Sequence, residues 1–254
     1  MTERSDNSGG NGDYTAMAEN YDRIMLRGQY YDYEAIARHL AAVAARRLLE
    51  LGVGTGLIIE HLLLKHRSDY DAVTGVDITP AMMAIARGRL QPWPQVDLRD
   101  QNIISLDLGA AYDLAFSYGG PCYWVPDGAG SWSLISHIRD DAANARGLAR
   151  VAAHLAPAGR LLLGIQAPHS NYSRELGDGT TYEQRLSPLP GGFRKRYLLT
   201  QDGDGGTPRT LVDQTLDYRV FPYPEALGLL SAAGLRPVPR DEHHGPMFLE
   251  FARP

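Results

Sequence analysis

The sequence predicts an α/β protein in which helices cover both faces of a mostly parallel sheet. Two observations predict this class: strands and helices alternate between residues 48 and 166, and the first strand ends at a cluster of glycines. The chain has 254 residues, of which 44% are hydrophobic and 22% charged, so it can bury a substantial core. We therefore expect one large domain, with or without a cap.

The individual elements follow from the spacing of apolar residues and from the residues that flank them. Apolar residues at helical spacing indicate helices, and short apolar runs between turn residues indicate strands. Thr79 stands where an N-cap is expected and Pro80 where a helix favours its first residue, while Pro157 and Gly159 follow the longest helix. In chain order we predict helix 16–25, helix 33–47, strand 48–51, helix 57–66, strand 72–76, a helix from Pro80, strand 96–99, strand 112–117, helix 138–155 and strand 160–165.

The pattern changes after residue 166. Glycine, proline and aspartate clusters (PLPGG and QDGDGG) separate polar strand-like runs at 193–200 and 210–219, which predicts an antiparallel cap inserted after the fifth strand. A helix over 224–233 and strands over 235–238 and 247–252 complete the chain. The predicted organisation is a disordered tail (1–13), a helical lid (14–47), the ligand-binding core (48–166), the antiparallel cap (167–219) and a C-terminal helix with the last core strands (220–254).

Composition excludes several classes of partner. A net charge of −5 means that the chain lacks the basic surface that attracts nucleic acid or anionic membranes. Its single cysteine, Cys122, cannot form an intramolecular disulfide or a cysteine-cluster metal site. The longest apolar stretches reach about half of a bilayer span, and the polar start does not resemble a secretory signal. We predict a cytoplasmic protein without nucleic-acid or membrane partners, and leave a homo-oligomer open.

The most informative segment is ELGVGTG, residues 50–56, between a predicted strand and a predicted helix. Glycines there permit a sharp turn and let a ligand approach the backbone closely. Leu57 stands where the dinucleotide pattern G-x-G-x-x-G requires its third glycine, which disfavours NAD or FAD. Asp77 ends the second strand, 21 residues beyond Gly56, where a carboxylate can accept both hydroxyls of a ribose. These features predict a nucleoside-bearing ligand across the loop.

Four segments resemble the successive motifs of class I S-adenosylmethionine-dependent methyltransferases. They are ELGVGTG, GVDITPAMMAIAR (75–87), YDLAFS (112–117) and LAPAGRLLLGI (155–165). The resemblance covers residues 14–166 and extends to the AAGL turn at 232–235. It implies a Rossmann-like seven-stranded sheet whose last strand is antiparallel, with S-adenosyl-L-methionine as cofactor and S-adenosyl-L-homocysteine as its product.

The resemblance implies a role for each residue of these motifs. Glu50 and the glycine backbone would face the methionine part of the cofactor, Asp77 would hold the ribose, and Tyr21 resembles the family's N-terminal tyrosine that closes over it. The family usually has Gly-Asp after the third strand, but this chain reads DQNI, so Asn102 takes the place of the acid that binds adenine, with Asp100 as the alternative. The implied cofactor-binding residues are Tyr21, Glu50, Gly52, Gly54, Gly56, Asp77, Ile78, Met82, Asn102, Ile103 and Ser117.

Further implied contacts concern the adenine and the sulfonium. Ile78 and Met82 would enclose the adenine, a role for methionine that competes with plain core packing. Ser117 would bring its backbone beside the sulfonium, and Tyr118 would begin the loop that faces the methyl acceptor. The Asn/Asp-Pro-Pro-Tyr signature of enzymes that methylate nucleic-acid amino groups is absent from SYGGP.

The methyl acceptor is expected to bind in a pocket lined by tyrosines. Methyl transfer from a sulfonium needs alignment and exclusion of water, and many of the 14 tyrosines lie in the N-terminal segment or after the fourth strand. A histidine base is required only for a hydroxyl acceptor. His39, His61, His66 and His154 are expected in solvated outer helices, and the basic run 194–196 on a solvated strand face. The predicted catalytic residues are Tyr14, Tyr21, Tyr118 and His244, and the predicted substrate contacts are Tyr14, Tyr118, Tyr123, Trp124, His169 and His243.

The layout is most similar to that of enzymes that methylate sugar amines or other amines in bacterial natural-product biosynthesis. This resemblance implies methyl transfer to an amine of a secondary metabolite or amino sugar, without a metal. An O-methyltransferase that uses His169 or the His243-His244 pair as base is the close alternative. A nicotinamide-dependent oxidoreductase is disfavoured by Leu57. A binding module that holds the nucleoside without turnover would leave the tyrosine-rich segments unexplained.

Overall fold

The computed structural model describes residues 13–128, 130–203, 207–239 and 247–254. The strands are β1 (Arg47–Leu51), β2 (Ala72–Asp77), β3 (Val96–Asp100), β4 (Tyr112–Ser117), β5 (Cys122–Pro126), β6 (Trp132–Ser136), β7 (Leu155–Gly164), β8 (Tyr172–Glu175), β9 (Thr180–Leu189), β10 (Gly192–Gln201), β11 (Arg209–Pro222), β12 (Arg236–Pro237) and β13 (Phe248–Ala252). The α-helices are α1 (Ala18–Asp22), α2 (Tyr33–Ala42), α3 (Leu57–His66), α4 (Pro80–Leu90), α5 (Asp141–Ala153) and α6 (Tyr223–Ala232).

The main sheet has seven strands in the order β12-β13-β7-β4-β1-β2-β3. Its five strands from β7 to β3 are parallel, and β13 runs antiparallel to β7. Successive residues of β1 point to opposite faces: Leu48 packs in a cluster with residues of α2 and α3, and Leu49 in a cluster with residues of α5 and α6. The predicted seven-stranded, mostly parallel sheet between two helical layers is confirmed.

A second sheet of six antiparallel strands has the order β5-β6-β11-β10-β9-β8. The predicted antiparallel cap is confirmed, but it is larger than expected because β5 and β6 precede α5 and extend the sheet. These two apolar runs flank the turn residues Asp127 and Gly128, a hairpin signal that the prediction did not use. The two sheets meet where Trp124 forms a parallel bridge with Ile165.

Several predicted helix boundaries were wrong for identifiable reasons. The helix predicted over 33–47 ends at Ala42, because the backbone N–H groups of Arg46 and Arg47 donate to the Asp113 carboxylate and turn the chain into β1. The segment 16–25 is a 3₁₀ turn, α1 and a π-helical turn rather than one helix. The long helix begins at Asp141, since the side chain of Asp140 accepts a hydrogen bond from Ala143 N and caps it.

The tail predicted over 1–13 lies outside the described residues except for Asp13. Within the described ranges, no helix combines the length and apolar character needed to cross a bilayer.

Candidate active site

The loop between β1 and α3 carries the glycine segment. Gly52 and Gly54 have positive φ angles of +77° and +54°. A Cβ on Gly52 would lie 2.6 Å from Cα of Gly120, where this loop meets the loop after β4. A Cβ on Gly54 would meet no heavy atom within 4 Å. Packing therefore requires a glycine at position 52, whereas the backbone at position 54 borders open space that a ligand can fill.

Asp77 joins the ends of β1 and β2. Its Oδ2 accepts a hydrogen bond from Gly54 N at 2.9 Å, and its Oδ1 accepts one from Thr79 N at 2.9 Å. Burial raises the pKa of Asp77, and the two backbone N–H groups oppose that rise. Since a carboxylate has about four lone pairs, it can still accept hydrogen bonds from two hydroxyl groups of a ligand.

A cavity of about 690 Å³, including its mouth, opens above this loop. We call it the glycine-loop cavity, and its size is that of a small-molecule site. Eight of the residues predicted to bind the cofactor line it: Tyr21, Gly52, Gly54, Asp77, Ile78, Met82, Asn102 and Ile103.

The structure distinguishes Asn102 from Asp100, the predicted alternative for binding adenine. Asn102 lines the cavity, and its side-chain oxygen accepts a hydrogen bond from Ile104 N at 3.0 Å. Asp100 instead forms an ion pair with Arg87 at the exposed end of β3. Gln101, which the prediction overlooked, also lines the cavity and holds the following loop through both backbone groups of Asp107.

Glu50, near the glycine loop, is unusual because its ionisable side chain is buried. Its side chain is 2% exposed, and its Oε2 has no hydrogen-bond partner among the described residues. Burial, followed by the charge of Asp77, raises the pKa of Glu50 well above its usual value. Together with Gly52, Gly54 and Tyr21, it lines a small space beside the glycine-loop cavity. A buried carboxyl group with an unpartnered oxygen at this position suits a ligand that brings an ammonium group.

Two predicted cofactor contacts lie outside these cavities. A Cβ on Gly56 would lie 2.9 Å from Cδ1 of Leu90, so this glycine permits α3 to pack against α4 rather than opening the loop. Ser117 is completely buried at the end of β4, and the cavity is reached by Gly119 and Gly120 in the loop that follows.

A second cavity, which we call the tyrosine cavity, lies between the N-terminal segment and the inner face of the antiparallel sheet. It encloses about 410 Å³ including its opening. Tyr14, Tyr21, Gly119 and His137 line both cavities, so the two spaces are neighbours. The other polar residues of its wall are Tyr30, Tyr31, Tyr123, Gln166, His169, Tyr182, Lys195, Tyr197 and Tyr218.

Tyr14 lies at the boundary between the two cavities. Its hydroxyl oxygen is 3.3 Å from His137 Nε2, 3.3 Å from the hydroxyl of Tyr197 and 3.1 Å from that of Tyr218. Its backbone N–H donates to Thr79 Oγ1 at 3.2 Å, which ties the N-terminal segment to the start of α4. Burial raises the pKa of Tyr14, so its hydroxyl stays protonated and can both donate and accept a hydrogen bond.

Two histidines in the tyrosine cavity are held neutral. Burial, followed by the charge of Lys195, lowers the pKa of both His137 and His169 to about 3. His169 Nε2 lies 2.7 Å from the hydroxyl oxygen of Tyr123, so these two predicted substrate contacts are partners. At neutral pH both rings act as uncharged hydrogen-bonding groups.

Two predicted acceptor contacts lie elsewhere. Trp124 is completely buried and packs against Tyr223 and Phe251, because adjacent strand residues face opposite sides and Tyr123 takes the side that faces the tyrosine cavity. Tyr118 lines the space beside Glu50, and its hydroxyl donates to Ile165 O at 3.3 Å. His243 and His244 lie outside the described residues.

Two expectations about solvated residues were wrong. His154 is buried at the end of α5, where its Nε2 accepts from Leu108 N at 3.0 Å and its ring caps the helix. Lys195 is only 2% exposed and faces the tyrosine cavity, unlike its two arginine neighbours. Strand alternation over 193–200 was the signal that could have separated Lys195 from those arginines. The sequence offered no comparable signal for His137.

The N-terminal segment is anchored to the glycine loop by charges. The carboxylate of Asp22 accepts a hydrogen bond from Thr55 Oγ1 at 2.6 Å and forms an ion pair with Arg89. Arg89 also donates from Nε to the carbonyl of Thr55 at 2.8 Å. These contacts hold Tyr21 over the glycine-loop cavity.

The family described as "Methyltransferase domain" matches residues 49–161. The chain is also 30% identical over 227 residues to the demethylmenaquinone methyltransferase of Thermus thermophilus, with 87% of this chain and 90% of that protein covered. The chain belongs to the class I S-adenosylmethionine-dependent methyltransferases. This membership overrules the oxidoreductase alternative.

Solved structures of other methyltransferases share the fold. A sugar N-methyltransferase from Streptoalloteichus sp. ATCC 53650 is 25% identical, with a TM-score of 0.65 and 92% of each chain covered. An S-adenosylmethionine-bound amino pentose methyltransferase of Micromonospora echinaspora, involved in calicheamicin biosynthesis, is 21% identical, with a TM-score of 0.67 and 92% and 97% of the two chains covered.

The cofactor of this methyltransferase is S-adenosylmethionine. The described residues fit the cofactor on three counts: the open space at Gly54, the carboxylate of Asp77 at the cavity wall and the buried carboxyl group of Glu50 with its unpartnered oxygen. Within the described ranges, no group of three or more His, Cys, Asp or Glu side chains is arranged to hold a metal ion.

Proposed function

We propose that this methyltransferase methylates the nitrogen of an amine, such as an amino sugar or another amine of a secondary metabolite, that binds in the tyrosine cavity. The proposal rests on one observation above all. The tyrosine cavity adjoins the glycine-loop cavity at Tyr14, Tyr21, Gly119 and His137, and the histidines that line it within the described ranges are too weakly basic to deprotonate a hydroxyl.

The proposed cofactor site uses the residues of the glycine-loop cavity. Asp77 would hold the ribose, Ile78 and Met82 the adenine, Asn102 its amino group, and Glu50 the ammonium of the methionine part. The bound cofactor supplies an electrophilic methyl group that a nucleophile displaces in line.

The residues at the boundary would orient the acceptor. When the Tyr14 O–H donates to Tyr197 or Tyr218 and His137 carries its proton on Nδ1, the Tyr14 oxygen and His137 Nε2 can each accept a hydrogen bond from an amine N–H. The nitrogen lone pair is then free to point toward the glycine-loop cavity. Tyr21 would cover the reacting atoms and exclude water, because Asp22 anchors its segment to Thr55 and Arg89. We keep Tyr14 and Tyr21 as proposed catalytic residues and add His137.

The choice of nitrogen over oxygen follows from proton transfer. An aliphatic hydroxyl must lose its proton as it attacks, and an efficient general base has a pKa near the working pH. His137 and His169, with pKa values of about 3, are far from that range. Lys195, with a pKa of about 7, lines only the tyrosine cavity and not its boundary with the glycine-loop cavity, where we place the transfer. A neutral amine needs no base during the attack and can release a proton to solvent afterwards. The 25% identity to a sugar N-methyltransferase supports the same choice.

A matched set of acceptors tests the proposal. The protein would be incubated with S-adenosylmethionine and amino sugars, each paired with the sugar that carries a hydroxyl in place of the amine, and products would be identified by mass spectrometry and NMR. We expect methylation of amines alone, with kcat/KM rising with pH along the titration of the acceptor's own amine. Methylation of the hydroxyl partner at a comparable rate would contradict the proposal.

A further inference from the structure

The side chain of Lys195 is directed into the protein from the middle of β10. Its neighbours Arg194 and Arg196 face outward, where Nε of each donates to the carboxylate of Asp217 or Asp213 at 2.6 Å. Lys195 faces the opposite side, is 2% exposed and lines the tyrosine cavity. Strand alternation therefore delivers one ammonium group to the cavity and keeps the adjacent positive charges on the surface.

Lys195 forms no ion pair with any aspartate or glutamate in the described ranges. Its Nζ donates to the hydroxyl of Tyr30 at 3.4 Å and lies 4.6 Å from the centre of the Tyr197 ring. The described residues that line the tyrosine cavity include no acidic side chain, and the two histidines there are neutral. Asp77 belongs to the glycine-loop cavity and already binds two backbone N–H groups.

A buried ammonium with so few partners is costly. A weak hydrogen bond and aromatic faces replace only part of the hydration that the ammonium loses on burial. Burial accordingly lowers the pKa of Lys195 to about 7. A Met or Leu would fill the same volume without this penalty. A negatively charged group in the cavity would remove the penalty and restore the usual charged state of the lysine.

We propose that Lys195 binds an anionic oxygen group, a carboxylate or a phosphate, that the methyl acceptor itself carries. The inference rests on the proposed function and narrows its substrate class to amines that also bear a compact negative charge. The tyrosine cavity, about 410 Å³ including its opening, has the size of a site for one small molecule, so we place both groups on the acceptor. The amine would lie at Tyr14 and His137, which line both cavities, and the anion at Lys195, which lines only the tyrosine cavity.

Three related probes test this inference: 2-amino-2-deoxyglucose, its 6-phosphate and its uronic acid. Binding to the full chain saturated with S-adenosylhomocysteine would be measured by calorimetry. We expect one or both anionic probes to bind at least about tenfold more tightly than the parent amine. Comparison of the phosphate with the carboxylate identifies which anion the cavity accepts.

Lys195→Met should abolish this preference and Lys195→Arg should retain part of it, while the affinity for S-adenosylhomocysteine stays unchanged and reports that the variants are folded. Arg196→Met is the matched control, because it removes a positive charge from the same strand on the exposed side. This control should keep the full preference for the anionic probes.

Equal affinity of the wild type for all three probes, including undetectable binding of all three, overturns the inference. So does an equal effect of Lys195→Met and Arg196→Met. A loss of kcat in Lys195→Met that is the same for every probe would assign the lysine to proton transfer and also overturns it. Failure of the proposed function has a different signature: Lys195-dependent binding of an anionic probe without methylation of any amine.

Discussion

The hydroxyl oxygen of Tyr14 lies 3.3 Å from Nε2 of His137, although 123 residues separate them in the chain. Tyr14 arrives from the N-terminal segment and His137 follows β6 of the antiparallel sheet. Their contact forms the boundary between the glycine-loop cavity and the tyrosine cavity. In the proposed reaction, the methyl group would pass between the two cavities near this pair.

Removal of the Tyr14 hydroxyl tests the proposed role of Tyr14 at the boundary between the two cavities. In Tyr14→Phe the ring still lines both cavities, but the hydrogen bonds to His137, Tyr197 and Tyr218 are lost. We expect kcat/KM for the acceptor to fall by about tenfold or more, with the affinity for S-adenosylhomocysteine within about twofold of the wild type. Tyr112→Phe is the control, because it also removes a buried hydroxyl hydrogen bond, here to Thr74 Oγ1 at 2.9 Å, and Tyr112 is not among the residues lining either cavity. Equal losses in both variants would contradict the role of Tyr14.

Gly54→Ala tests the open space above the loop. The new methyl group meets no protein atom within 4 Å, so it would project into the glycine-loop cavity and obstruct the cofactor. We expect S-adenosylhomocysteine affinity to fall by well over tenfold, while the free energy of unfolding falls by only about 1–2 kcal/mol from strain at positive φ. Calorimetry and chemical denaturation measure the two effects.

Gly88→Ala is the control for Gly54→Ala. Gly88 lies on the exposed face of α4, and a Cβ there also meets nothing within 4 Å. Alanine should stabilise this helix by roughly 0.5–1 kcal/mol without changing cofactor affinity. Unimpaired cofactor binding by Gly54→Ala would mean that the cofactor does not approach the loop as proposed.

Glu50→Gln should separate stability from cofactor binding. Burial raises the pKa of Glu50 above that of the unfolded chain, so its contribution to stability is present at low pH and is lost as pH rises toward the folded-state pKa. Glutamine does not ionise, so the variant does not lose this stability as the pH rises. In the absence of cofactor, Glu50→Gln should therefore be more stable than the wild type at pH 7, by on the order of 1 kcal/mol, and the difference should shrink toward pH 4.

Bound cofactor should reverse the order of stability of the wild type and Glu50→Gln. If Glu50 binds the ammonium of the methionine part, S-adenosylmethionine raises the Tm of the wild type more than that of Glu50→Gln. Thermal melts with and without cofactor measure both differences. Equal shifts in the two proteins would show that the carboxylate does not contact the cofactor.

The difference in stability between Lys195→Met and the wild type should shrink as the pH rises, which is the opposite of the trend expected for Glu50→Gln. The pKa of Lys195 is lowered to about 7, so protonation penalises the folded state below that pH, and the penalty disappears as pH rises toward the unfolded value of 10.5. The advantage of Lys195→Met over the wild type should be largest at pH 7 and below. It should decline by about 1.4 kcal/mol per pH unit at most between pH 7 and 10.

Denaturant titrations at several pH values measure this slope. Arg196→Met should give a difference from the wild type that is small and constant over the same range, because an exposed ion pair contributes little. If the difference in stability between Lys195→Met and the wild type is also constant with pH, the Lys195 ammonium is solvated in the folded protein. The groups that face Lys195, namely Tyr30, Tyr197, His137 and His169, should not titrate between pH 7 and 10, since burial raises the pKa of the tyrosines and lowers that of the histidines.

The parallel core follows from local signals. Strand β4 and helix α3 have their predicted bounds, because each is an apolar run flanked by residues that end it. The glycine segment and Asp77 could likewise be assigned to one ligand from sequence, since consecutive parallel strands place their carboxyl ends at the same sheet edge. Helix α2 is the counterexample: its alanine-rich continuation favours helix, and contacts of Asp113 with the backbone of Arg46 and Arg47 overrule that propensity.

Local patterning thus accounts for the fold class, the family and the cofactor, because strand, glycine turn and helix are contiguous and their chemistry is readable over a few residues. The tyrosine cavity has no such local basis. Tyr14, His137, Lys195 and Tyr218 come from four separate segments, and each alone resembles an ordinary core or surface residue. Their burial, their pKa values and the ammonium group of Lys195 without an ion pair arise only when the antiparallel sheet and the N-terminal segment enclose one space. Desolvation depends on everything that surrounds a group.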